Sequence, residues 1–404
     1  MKNNYISPFK PKKFIRFKPN FFKIYTFNAG FKKYKKDLLV ICFEKPVYCS
    51  CVFTKSFTPA APIIWSKNNN KNLCKVLIVN SGNANAFTGQ KGIKNIDDYV
   101  KFTSNYFGCK TDQIFVSSTG VIGEQINKNL ILDKIKLINN SKTGNILDAA
   151  KAIMTTDTFP KISKEDIIIQ NKRYKIYGIA KGSGMISPNM GTMLAYIFMD
   201  LPLNKNEIKQ LLSKNIDDTF NSITVDGDTS TNDTVMLFSQ KNEKKINITN
   251  KLRTQLNEKI KKVMSSLAKQ IVLDGEGITK MIEVNVLNAK TKKQAKNIAF
   301  SIANSLLVKT AIHGKDANWG RVVMAIGKTE EKIVQEKIVL RFGNLIVAKN
   351  GMMNKKINLK NLDKYMKRRK IVINVELNIG TKKHTVFSSD LSNKYIEINA
   401  DYRS

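Results

Sequence analysis

Five polar, glycine-rich segments of the sequence each lie at the end of a hydrophobic run. Loops at the ends of strands are where α/β proteins place their binding and catalytic groups. Any one of these segments alone is most simply a turn, but five in one chain favour a composite site. They occupy residues 80–86, 117–120, 181–192, 224–234 and 274–277.

Histidine is scarce, which limits the acid–base chemistry available to the chain. Only His313 and His384 are present, so a covalent mechanism is expected to use a different base. One solution is a threonine with a free N-terminal amine, because an α-amine has a pKa of about 7.7–8.0 and is partly neutral at cellular pH. Gly191 leaves its carbonyl accessible to the hydroxyl of Thr192, and cleavage of that bond would free such an amine. A threonine that simply opens a β-strand is the alternative.

Another segment permits a different chemistry. Asp226 and Asp228 follow an apolar run with the spacing of the aspartyl nucleophile and acid/base of haloacid-dehalogenase-like phosphatases. The segment lies mid-chain, and Ser230 stands where those enzymes have threonine or a hydrophobic residue. An aspartyl-nucleophile phosphatase using Asp226 and Asp228 therefore stays open as the alternative function.

Cysteine usage indicates neither a disulfide framework nor a metal site. The cysteines are odd in number and form no Cys-x-x-Cys pair, and two histidines exclude a multi-histidine metal centre. We expect buried free thiols and no bound metal. The five are Cys42, Cys49, Cys51, Cys74 and Cys109.

The positive charge is the feature most easily taken for nucleic-acid binding. Lysine and arginine total 68 against 32 acidic residues, which gives a formal net charge of +36. Only 8 of the 68 are arginine, and no zinc finger, helix-turn-helix or aromatic RNA-binding motif accompanies them. We therefore expect no nucleic-acid partner. The first 36 residues carry 11 basic and no acidic side chains, and we interpret them as a loose arm.

The apolar runs predict neither a membrane span nor a signal peptide. The longest, residues 38–43 and 193–199, are far shorter than the roughly 20 residues that cross a bilayer. No apolar stretch of signal-peptide type follows the basic N-terminus. We expect a cytoplasmic protein without a membrane partner.

The elements that must position the five segments alternate between strand and helix. The chain has 404 residues, 42% of them hydrophobic, which suits two domains or one two-lobed unit. The alternation predicts an α/β chain with mixed sheets. Strands are predicted over residues 37–43, 48–54, 75–80, 113–117, 173–180, 192–199, 220–226, 234–239, 332–340, 343–348, 371–378 and 384–388, and helices over residues 93–107, 146–154, 204–215, 250–272 and 291–307.

Nine short motifs recur in this order in one known family. From about residue 20 to its end, the chain resembles the ornithine acetyltransferases, the glutamate N-acetyltransferases of arginine biosynthesis. The motifs are Asn-Ser-Gly-x-Ala-Asn-Ala at 80–86, Ser-Thr-Gly at 118–120, Met-Thr-Thr-Asp at 154–157, Lys-Gly-x-Gly-Met at 181–185, Thr-Met-Leu at 192–194, Asp-Gly-Asp-Thr-Ser-Thr-Asn-Asp-Thr at 226–234, Glu-Gly-x-Thr-Lys at 276–280, Asn-Trp-Gly-Arg at 318–321 and Asn-Ala-Asp-Tyr-Arg-Ser at 399–404.

The resemblance implies a DmpA-like α/β fold, with mixed β-sheets layered with helices, and a self-cleaving acyltransferase. The chain would split between Gly191 and Thr192 into an α chain, 20–191, and a β chain, 192–404, that stay together as α2β2; residues 1–19 would be a basic extension. Thr192 would take the acetyl group from N2-acetylornithine and pass it to L-glutamate, which needs no cofactor. The sequence leaves open whether acetyl-CoA is also a donor.

The resemblance also assigns roles to individual residues. The Thr119 hydroxyl and the Gly120 N–H would form the oxyanion hole, the pair of donors that stabilises the tetrahedral intermediates. Lys181 would meet the α-carboxylate that ornithine and glutamate share, and Glu276 an ammonium group or a proton in transfer. The full substrate-binding set is Thr155, Lys181, Thr192, Glu276, Asn399 and Ser404, with Thr156 as an alternative to its neighbour.

Three features of the chain stand apart from these roles. Gly191 occupies a position where the family usually has alanine, and a change in cleavage rate is expected. The loop at residues 226–234 matches the family without suggesting a chemical role. Apolar residues alternate over residues 395–398, which predicts a strand that docks the C-terminal tail.

Overall fold

The computed structural model describes residues 5–187, 193–241 and 249–400, and the chain forms two compact units. Within those ranges the larger unit contains residues 11–221 and 228–271, and the smaller unit contains the remainder. The predicted division into an N-terminal extension, an α chain and a β chain concerns processing, and it stays a prediction.

Residues 22–273 of the described chain form eight strands and six helices. Their bounds are β1 Phe22–Phe27, β2 Leu38–Phe53, α1 Ala61–Asn69, β3 Leu73–Asn83, α2 Gly89–Phe107, β4 Ile114–Val121, α3 Lys128–Lys136, α4 Ile146–Ala152, β5 Lys161–Ile169, β6 Lys172–Lys181, β7 Leu194–Met199, α5 Lys205–Ile216, β8 Thr234–Ser239 and α6 Asn250–Leu273.

The eight strands form one mixed sheet in the order β4-β3-β2-β8-β7-β6-β5, with β1 paired to β2. The pairs β3/β4 and β7/β8 are parallel, and the others are antiparallel. The sequence predicted two strands where β2 is a single one. Its register against β3 shifts between Cys42 and Val47, around Pro46, because proline has no N–H for the ladder.

Alternate residues of β2 belong to different hydrophobic clusters, because successive side chains of a strand point to opposite faces. Leu39 and Ile41 pack in a cluster that includes α4, whereas Leu38 and Val40 pack in one that includes residues of α1, α2 and α3. Every residue of β7 and β8 is buried. The sheet is therefore covered by helices on both faces, which confirms the predicted layered α/β class.

The smaller unit has a six-stranded mixed sheet in the order β12-β11-β10-β13-β9-β14, in which only β9 and β13 run parallel. Helix α7 contributes Ile298 and Ile302 to its core. The bounds are β9 Met281–Ala289, α7 Lys292–Ala303, α8 Leu306–His313, α9 Trp319–Gly327, β10 Val339–Phe342, β11 Leu345–Lys349, β12 Met352–Met353, α10 Leu359–Met366, β13 Lys370–Glu376, β14 Lys382–Ser389 and α11 Asn393–Ala400.

Four predicted elements are wrong, and one of them is the strand predicted over 332–340, of which only residues 339–340 lie in a strand, β10. The single helix predicted over 291–307 is two helices, because Ser305 is extended and caps α8 through the Val308 amide. The strand predicted over 220–226 is a 3-10 turn, Phe220–Ser222, followed by one isolated bridge at Ile223. Residues 395–398 lie in helix α11 rather than in a docking strand, since a four-residue alternation also fits a helix.

The basic N-terminal segment is not a loose arm over its described residues. The Ser7 hydroxyl donates to the Leu273 carbonyl at 2.5 Å, and the Phe17 ring meets the Tyr177 ring edge-on at 4.9 Å. Phe21 and Phe22 are buried, and β1 follows. The basic side chains misled the prediction because the apolar residues between them supply enough buried surface to fix the segment.

Within the described ranges, no helix combines the length and the apolar character that crossing a membrane requires. All five cysteines are free thiols; Cys42, Cys49 and Cys74 are buried, whereas Cys51 and Cys109 are half-buried.

Candidate active site

Two of the predicted segments meet at one edge of the large sheet. Strands β3 and β4 are parallel, so Asn80 lies opposite Ser118 and Gly82 opposite Gly120. The Ser118 hydroxyl donates to Asn80 Oδ1 at 2.6 Å. Gly120 has φ +134°, and a Cβ there would come 2.3 Å from the Gly82 carbonyl carbon, so only glycine fits. This close approach fixes the end of β4, which carries Thr119.

Two predicted site residues contact each other in the larger unit. Lys181, the last residue of β6, donates from Nζ to Thr119 Oγ1 at 3.3 Å. Both side chains are only 2% exposed. The proposed oxyanion-hole donor and the proposed carboxylate ligand therefore lie together, away from bulk solvent.

A buried aspartate, Asp157, organises this cluster. It accepts hydrogen bonds from Lys161 Nζ at 2.6 Å, from the Gly182 amide at 2.7 Å and from the Thr155 amide at 2.9 Å. Burial opposes its charge, but the ammonium groups of Lys161 and Lys181 outweigh burial and hold the pKa of Asp157 below its usual range. Asp157 thus fixes the backbone at both Thr155 and Gly182.

The hydroxyls of the two neighbouring threonines differ in their surroundings. Thr156 Oγ1 lies 2.6 Å from Ser183 Oγ, so the two hydroxyls are hydrogen-bonded to each other. Thr155 is half-buried, and its backbone is held by Asp157. The contact with Ser183 favours Thr155 over Thr156 as the substrate ligand, which stays a prediction.

The loop at residues 226–234 links the end of β4 to the start of β7. Asn232 Nδ2 donates to the Ala84 carbonyl at 2.7 Å and to the Ser118 carbonyl at 2.8 Å. The next residue, Asp233, accepts the Met193 amide at 2.7 Å through Oδ1. The sequence suggested no chemical role for this segment. It is hydrogen-bonded to Ser118, the neighbour of Thr119, and to Met193, the first residue of the chain described after residue 187.

Gly191, Thr192 and Ser404 lie outside the described residues. Their predicted roles in cleavage, catalysis and substrate binding stay predictions. The described chain resumes at Met193, whose amide and carbonyl are both bound by the adjoining loop: the Thr234 amide donates to the Met193 carbonyl at 3.1 Å.

The smaller unit brings together two other predicted ligands. Asn399 Nδ2 donates to Glu276 Oε2 at 2.9 Å and to the Tyr395 carbonyl at 3.0 Å. Glu276 is 7% exposed and precedes Gly277, which has φ +69°. The two substrate-binding candidates of this unit are therefore hydrogen-bonded partners.

Asp390 secures the chain just after Glu276. It accepts hydrogen bonds from the amides of Thr279 and Lys280, each at 2.9 Å, and from the Thr279 hydroxyl. His313 Nδ1 lies 3.0 Å from its second oxygen. Sequence reasoning missed this cluster, because Asp390 lies 110 positions from Lys280 along the chain.

Asp226 and Asp228 lack the structural context of a phosphatase nucleophile. No strand precedes them, since the Val225 carbonyl accepts the buried Lys309 ammonium at 2.6 Å instead of a ladder hydrogen bond. Asp226 accepts the Tyr395 hydroxyl at 3.4 Å, and Asp228 is exposed. Among the described residues, no three His, Cys, Asp or Glu side chains are grouped to hold a metal ion.

Comparison with known proteins resolves the family. A sequence model of the ArgJ family matches residues 23–404. The chain belongs to the ArgJ family. It is 42% identical over 391 residues to the arginine biosynthesis bifunctional protein ArgJ of Brucella melitensis, covering 95% of each chain. The protein of the same name from Bartonella henselae is 42% identical over 388 residues, again with 95% of each chain covered.

A crystal structure of ArgJ from Bacillus halodurans is also similar. It is 35% identical, with a TM-score of 0.48, and the match covers 51% of this chain and 98% of that one. Membership of the ArgJ family confirms the resemblance predicted from the ordered motifs, and with it an acyltransferase of arginine biosynthesis. The alternative, an aspartyl-nucleophile phosphatase, gains no support.

Proposed function

We propose that this ArgJ-family protein transfers an acetyl group from N2-acetylornithine to L-glutamate, giving ornithine and N-acetylglutamate. The single observation that carries the proposal is the buried contact of the Lys181 ammonium with the Thr119 hydroxyl, at 3.3 Å. It joins a cation suited to an amino-acid carboxylate with a donor suited to a developing oxyanion. No external cofactor is required.

The proposed sequence begins with self-cleavage between Gly191 and Thr192. The Thr192 hydroxyl attacks the Gly191 carbonyl carbon, and the C–N bond between the two residues breaks, which gives an ester and frees the α-amine of Thr192. Water then hydrolyses the ester to the Gly191 carboxylate and the Thr192 hydroxyl. The α chain, 20–191, and the β chain, 192–404, then stay together as α2β2. Gly191 changes the rate of this step rather than its chemistry.

Acetyl transfer then proceeds through one ester intermediate. The Thr192 amine accepts the proton of its own hydroxyl, whose oxygen bonds to the acetyl carbon of N2-acetylornithine. The amide C–N bond breaks, and ornithine leaves with the proton. In the second step the glutamate amine attacks the ester, and the Thr192 hydroxyl is restored. The ester conserves the acyl group, which is why no cofactor is needed.

Thr119 and Gly120 supply the oxyanion hole in this proposal. The Thr119 hydroxyl accepts its hydrogen bond from Lys181, so its own proton remains for donation to the substrate oxygen. The neighbouring positive charge polarises that hydroxyl and strengthens it as a donor. Gly120 adds its backbone N–H.

Lys181 binds the α-carboxylate that donor and acceptor share, with Thr155 beside it. Asp157 is the anion of a buried cluster that includes the ammonium groups of Lys161 and Lys181. The Lys181 ammonium also lies in the field of the buried Asp233. A cation at the end of β6, beside the Thr119 hydroxyl, supports amino-acid substrates.

Two residues of the smaller unit are proposed as further substrate ligands. Glu276 meets the side-chain ammonium of ornithine or a proton in transfer. Asn399, which is hydrogen-bonded to Glu276, binds the amino-acid backbone of the substrate together with Ser404. We place the reaction in the cytoplasm, and we propose acetyl-CoA as a second donor because the relatives are named bifunctional.

Trapping the intermediate tests this function. Purified protein is mixed with N2-acetylornithine labelled in the acetyl group, quenched in acid and digested. The proposal expects the label as an acetyl ester on the peptide that begins at Thr192, and its transfer to N-acetylglutamate when glutamate is added. Label elsewhere, or no transfer, contradicts it. Replacing acetylornithine with acetyl-CoA tests the second donor.

A further inference from the structure

The loop that precedes β2, residues 29–36, is folded around one buried carboxylate. That carboxylate, Asp37, is 0% exposed. It accepts hydrogen bonds from three loop amides, those of Ala29 at 2.6 Å, Gly30 at 3.1 Å and Lys32 at 2.8 Å. A charged acceptor makes stronger hydrogen bonds than a neutral one, so the backbone of the loop is well fixed. The side chain of Lys32 therefore starts from a defined position.

The same loop packs against the edge of the large sheet that carries the candidate site. Gly82, at the end of β3, has φ +117°, and a Cβ there would lie 2.8 Å from the Phe31 carbonyl oxygen. Glycine at this position is what allows the loop to come so close. Gly82 lies opposite Gly120, the neighbour of Thr119. Lys32, which follows Phe31, is therefore held at the site edge of the sheet.

The Lys32 ammonium binds a backbone carbonyl just beyond the end of α4. Its Nζ donates to the Met154 carbonyl at 2.8 Å. One turn earlier, the Ser81 hydroxyl donates to the Ala152 carbonyl at 2.7 Å. The last carbonyls of a helix have no partner within the helix, and a cation there also meets the negative end of the helix dipole. Lys32 thus caps α4, and the same contact affects the residue that follows Met154.

Opposite charges hold the two ends of the peptide group between Met154 and Thr155. Its oxygen accepts the Lys32 ammonium, and its N–H donates to Asp157 Oδ2 at 2.9 Å. Asp157 is itself fixed by the Lys161 ammonium at 2.6 Å. A peptide group is planar, so fixing its oxygen and its N–H fixes the plane from which the Thr155 side chain departs. Without the carbonyl contact, that plane can rock about the one remaining hydrogen bond.

Lys32 also lies within reach of the charges of the candidate site. Burial lowers the pKa of its ammonium to about 8; the charges of Asp37 and Asp157 act to raise this pKa, and those of Lys35 and Lys181 to lower it. At pH 7 the group is therefore charged, and it is half-buried. It can make a charge-assisted hydrogen bond to a carbonyl under the conditions of the reaction.

We propose that Lys32 is a positioning residue for the amino-acid substrates, because its ammonium orients the peptide group that carries the Thr155 hydroxyl. The inference rests on the proposed function, in which Thr155 is a ligand of both donor and acceptor. Lys32 acts through Thr155 and not on the reacting atoms. A lysine that only capped α4 would affect stability and leave substrate binding unchanged.

A double-mutant cycle tests this role, with Lys32→Met, Thr155→Ala, the double variant and the parent compared at pH 7. Methionine keeps an unbranched side chain but removes the ammonium. For acetylornithine:glutamate transfer by cleaved protein, Lys32→Met is expected to raise KM for both amino acids about 10-fold, with a smaller change in kcat. Thr155→Ala is expected to have a similar effect. The double variant is expected to match Thr155→Ala alone, because Lys32 acts through that residue.

Independent effects of the two substitutions would overturn the inference. They would multiply to a KM increase of about 100-fold in the double variant. Parental KM in Lys32→Met overturns it too, and leaves Lys32 as a cap of α4. Lys36→Met is the matched control, since Lys36 belongs to the same loop and donates to Thr26 Oγ1 at 2.7 Å on the exposed surface. The control is expected to keep parental KM and kcat.

Lys32→Gln keeps the test decisive if the Met variant does not give folded, cleaved protein. Its neutral and shorter side chain is expected to raise KM in the parent background and to have no effect in the Thr155→Ala background. Parental KM, or an increase that persists without the Thr155 hydroxyl, contradicts the positioning role. Parental KM in Thr155→Ala would remove Thr155 from the proposed site and overturn the inference with it. A parent protein without acetylornithine:glutamate transfer would instead count against the proposed function.

Discussion

Two buried aspartates of the larger unit, Asp157 and Asp233, show opposite ways of keeping a carboxylate inside a protein. Asp157 accepts two backbone amides and the ammonium of Lys161, and its pKa is lowered. Asp233 accepts one amide, and burial raises its pKa well above the usual value. The first carboxylate is already satisfied and maintains structure. The second carries no ammonium partner at hydrogen-bond distance among the described residues, and its burial therefore favours the protonated form.

The largest expected effect comes from breaking the satisfied carboxylate. Lys161→Met leaves the negative charge of Asp157 buried without its bonded cation, which is expected to lower the free energy of unfolding by about 3–5 kcal/mol. Urea unfolding of the full chain in the Thr192→Ala background measures it. Lys164→Met, which removes a partly exposed pair with Asp166, is the control, with an expected cost of about 0–1 kcal/mol. An equal loss of unfolding free energy in the two variants would contradict the structural role of the pair formed by Lys161 and Asp157.

A smaller effect on stability but a large one on rate is expected from Thr119→Ala. The substitution removes one oxyanion-hole donor while leaving both aspartates in place, and turnover is expected to fall about 10²–10³-fold. Steady-state transfer by the purified, cleaved variant measures it. Thr103→Ala, at a buried helical threonine that donates to the Tyr99 carbonyl, controls for loss of a buried hydroxyl. Near-normal turnover in Thr119→Ala removes Thr119 from the site.

The contributions of the two aspartates to the free energy of unfolding are expected to change with pH in opposite directions. The folded-state pKa of Asp157 is lowered, so its contribution is present above the unfolded pKa of about 3.9 and is lost as pH falls toward the folded value. The folded-state pKa of Asp233 is raised, so its contribution is present below about pH 3.9 and is lost as pH rises through the folded value.

Unfolding of the uncut Thr192→Ala chain, with Asp157→Asn or Asp233→Asn added, measures these opposite trends. Between pH 4 and pH 7 the Asp233→Asn chain is expected to gain stability relative to its parent, by up to about 1.4 kcal/mol per pH unit. Below pH 4 the Asp157→Asn chain is expected to approach the stability of its parent, because the parent loses the contribution of Asp157 as pH falls. Parallel curves for the two variants would contradict the difference between them.

The smallest effect is expected in the smaller unit, where Glu276 has an amide partner. Asn399→Ala removes the hydrogen bond that Asn399 donates to Glu276. The change is expected to cost about 1.5–3 kcal/mol in transition-state stabilisation, measured from kcat/KM. Cleavage at Thr192 should persist, because the scissile bond belongs to the chain itself. Asn393→Ala, at the start of the same helix, is the control. Unchanged kcat/KM in Asn399→Ala would show that the tail has no part in substrate binding.

The ordered motifs were enough to predict the family and most candidate residues, because they place glycines and hydroxyls where the backbone geometry of the loops requires those residue types. Gly120 illustrates this, since any Cβ there would collide with β3. The α/β class followed from the alternation of strand and helix patterns, and β7 and β8 lie within the strands predicted over residues 192–199 and 234–239.

What the sequence did not predict depends on contacts between distant residues. Nothing in the motif at 154–157 distinguishes Asp157 as the buried anion, since its cation Lys161 is one of 60 lysines. Asp233 was one of three aspartates in a single loop, and only burial separates it from the exposed Asp228. Short apolar patterns were equally ambiguous, as the helix over residues 395–398 shows.

Self-cleavage is proposed to make Thr192 an N-terminal nucleophile. Intact-mass analysis of the purified, active protein, with N-terminal sequencing of each species, tests it most directly. We expect one chain ending at Gly191 and a second beginning at Thr192, and a single uncut, inactive chain for Thr192→Ala. Full transfer activity in a preparation that contains only the uncut chain would contradict it.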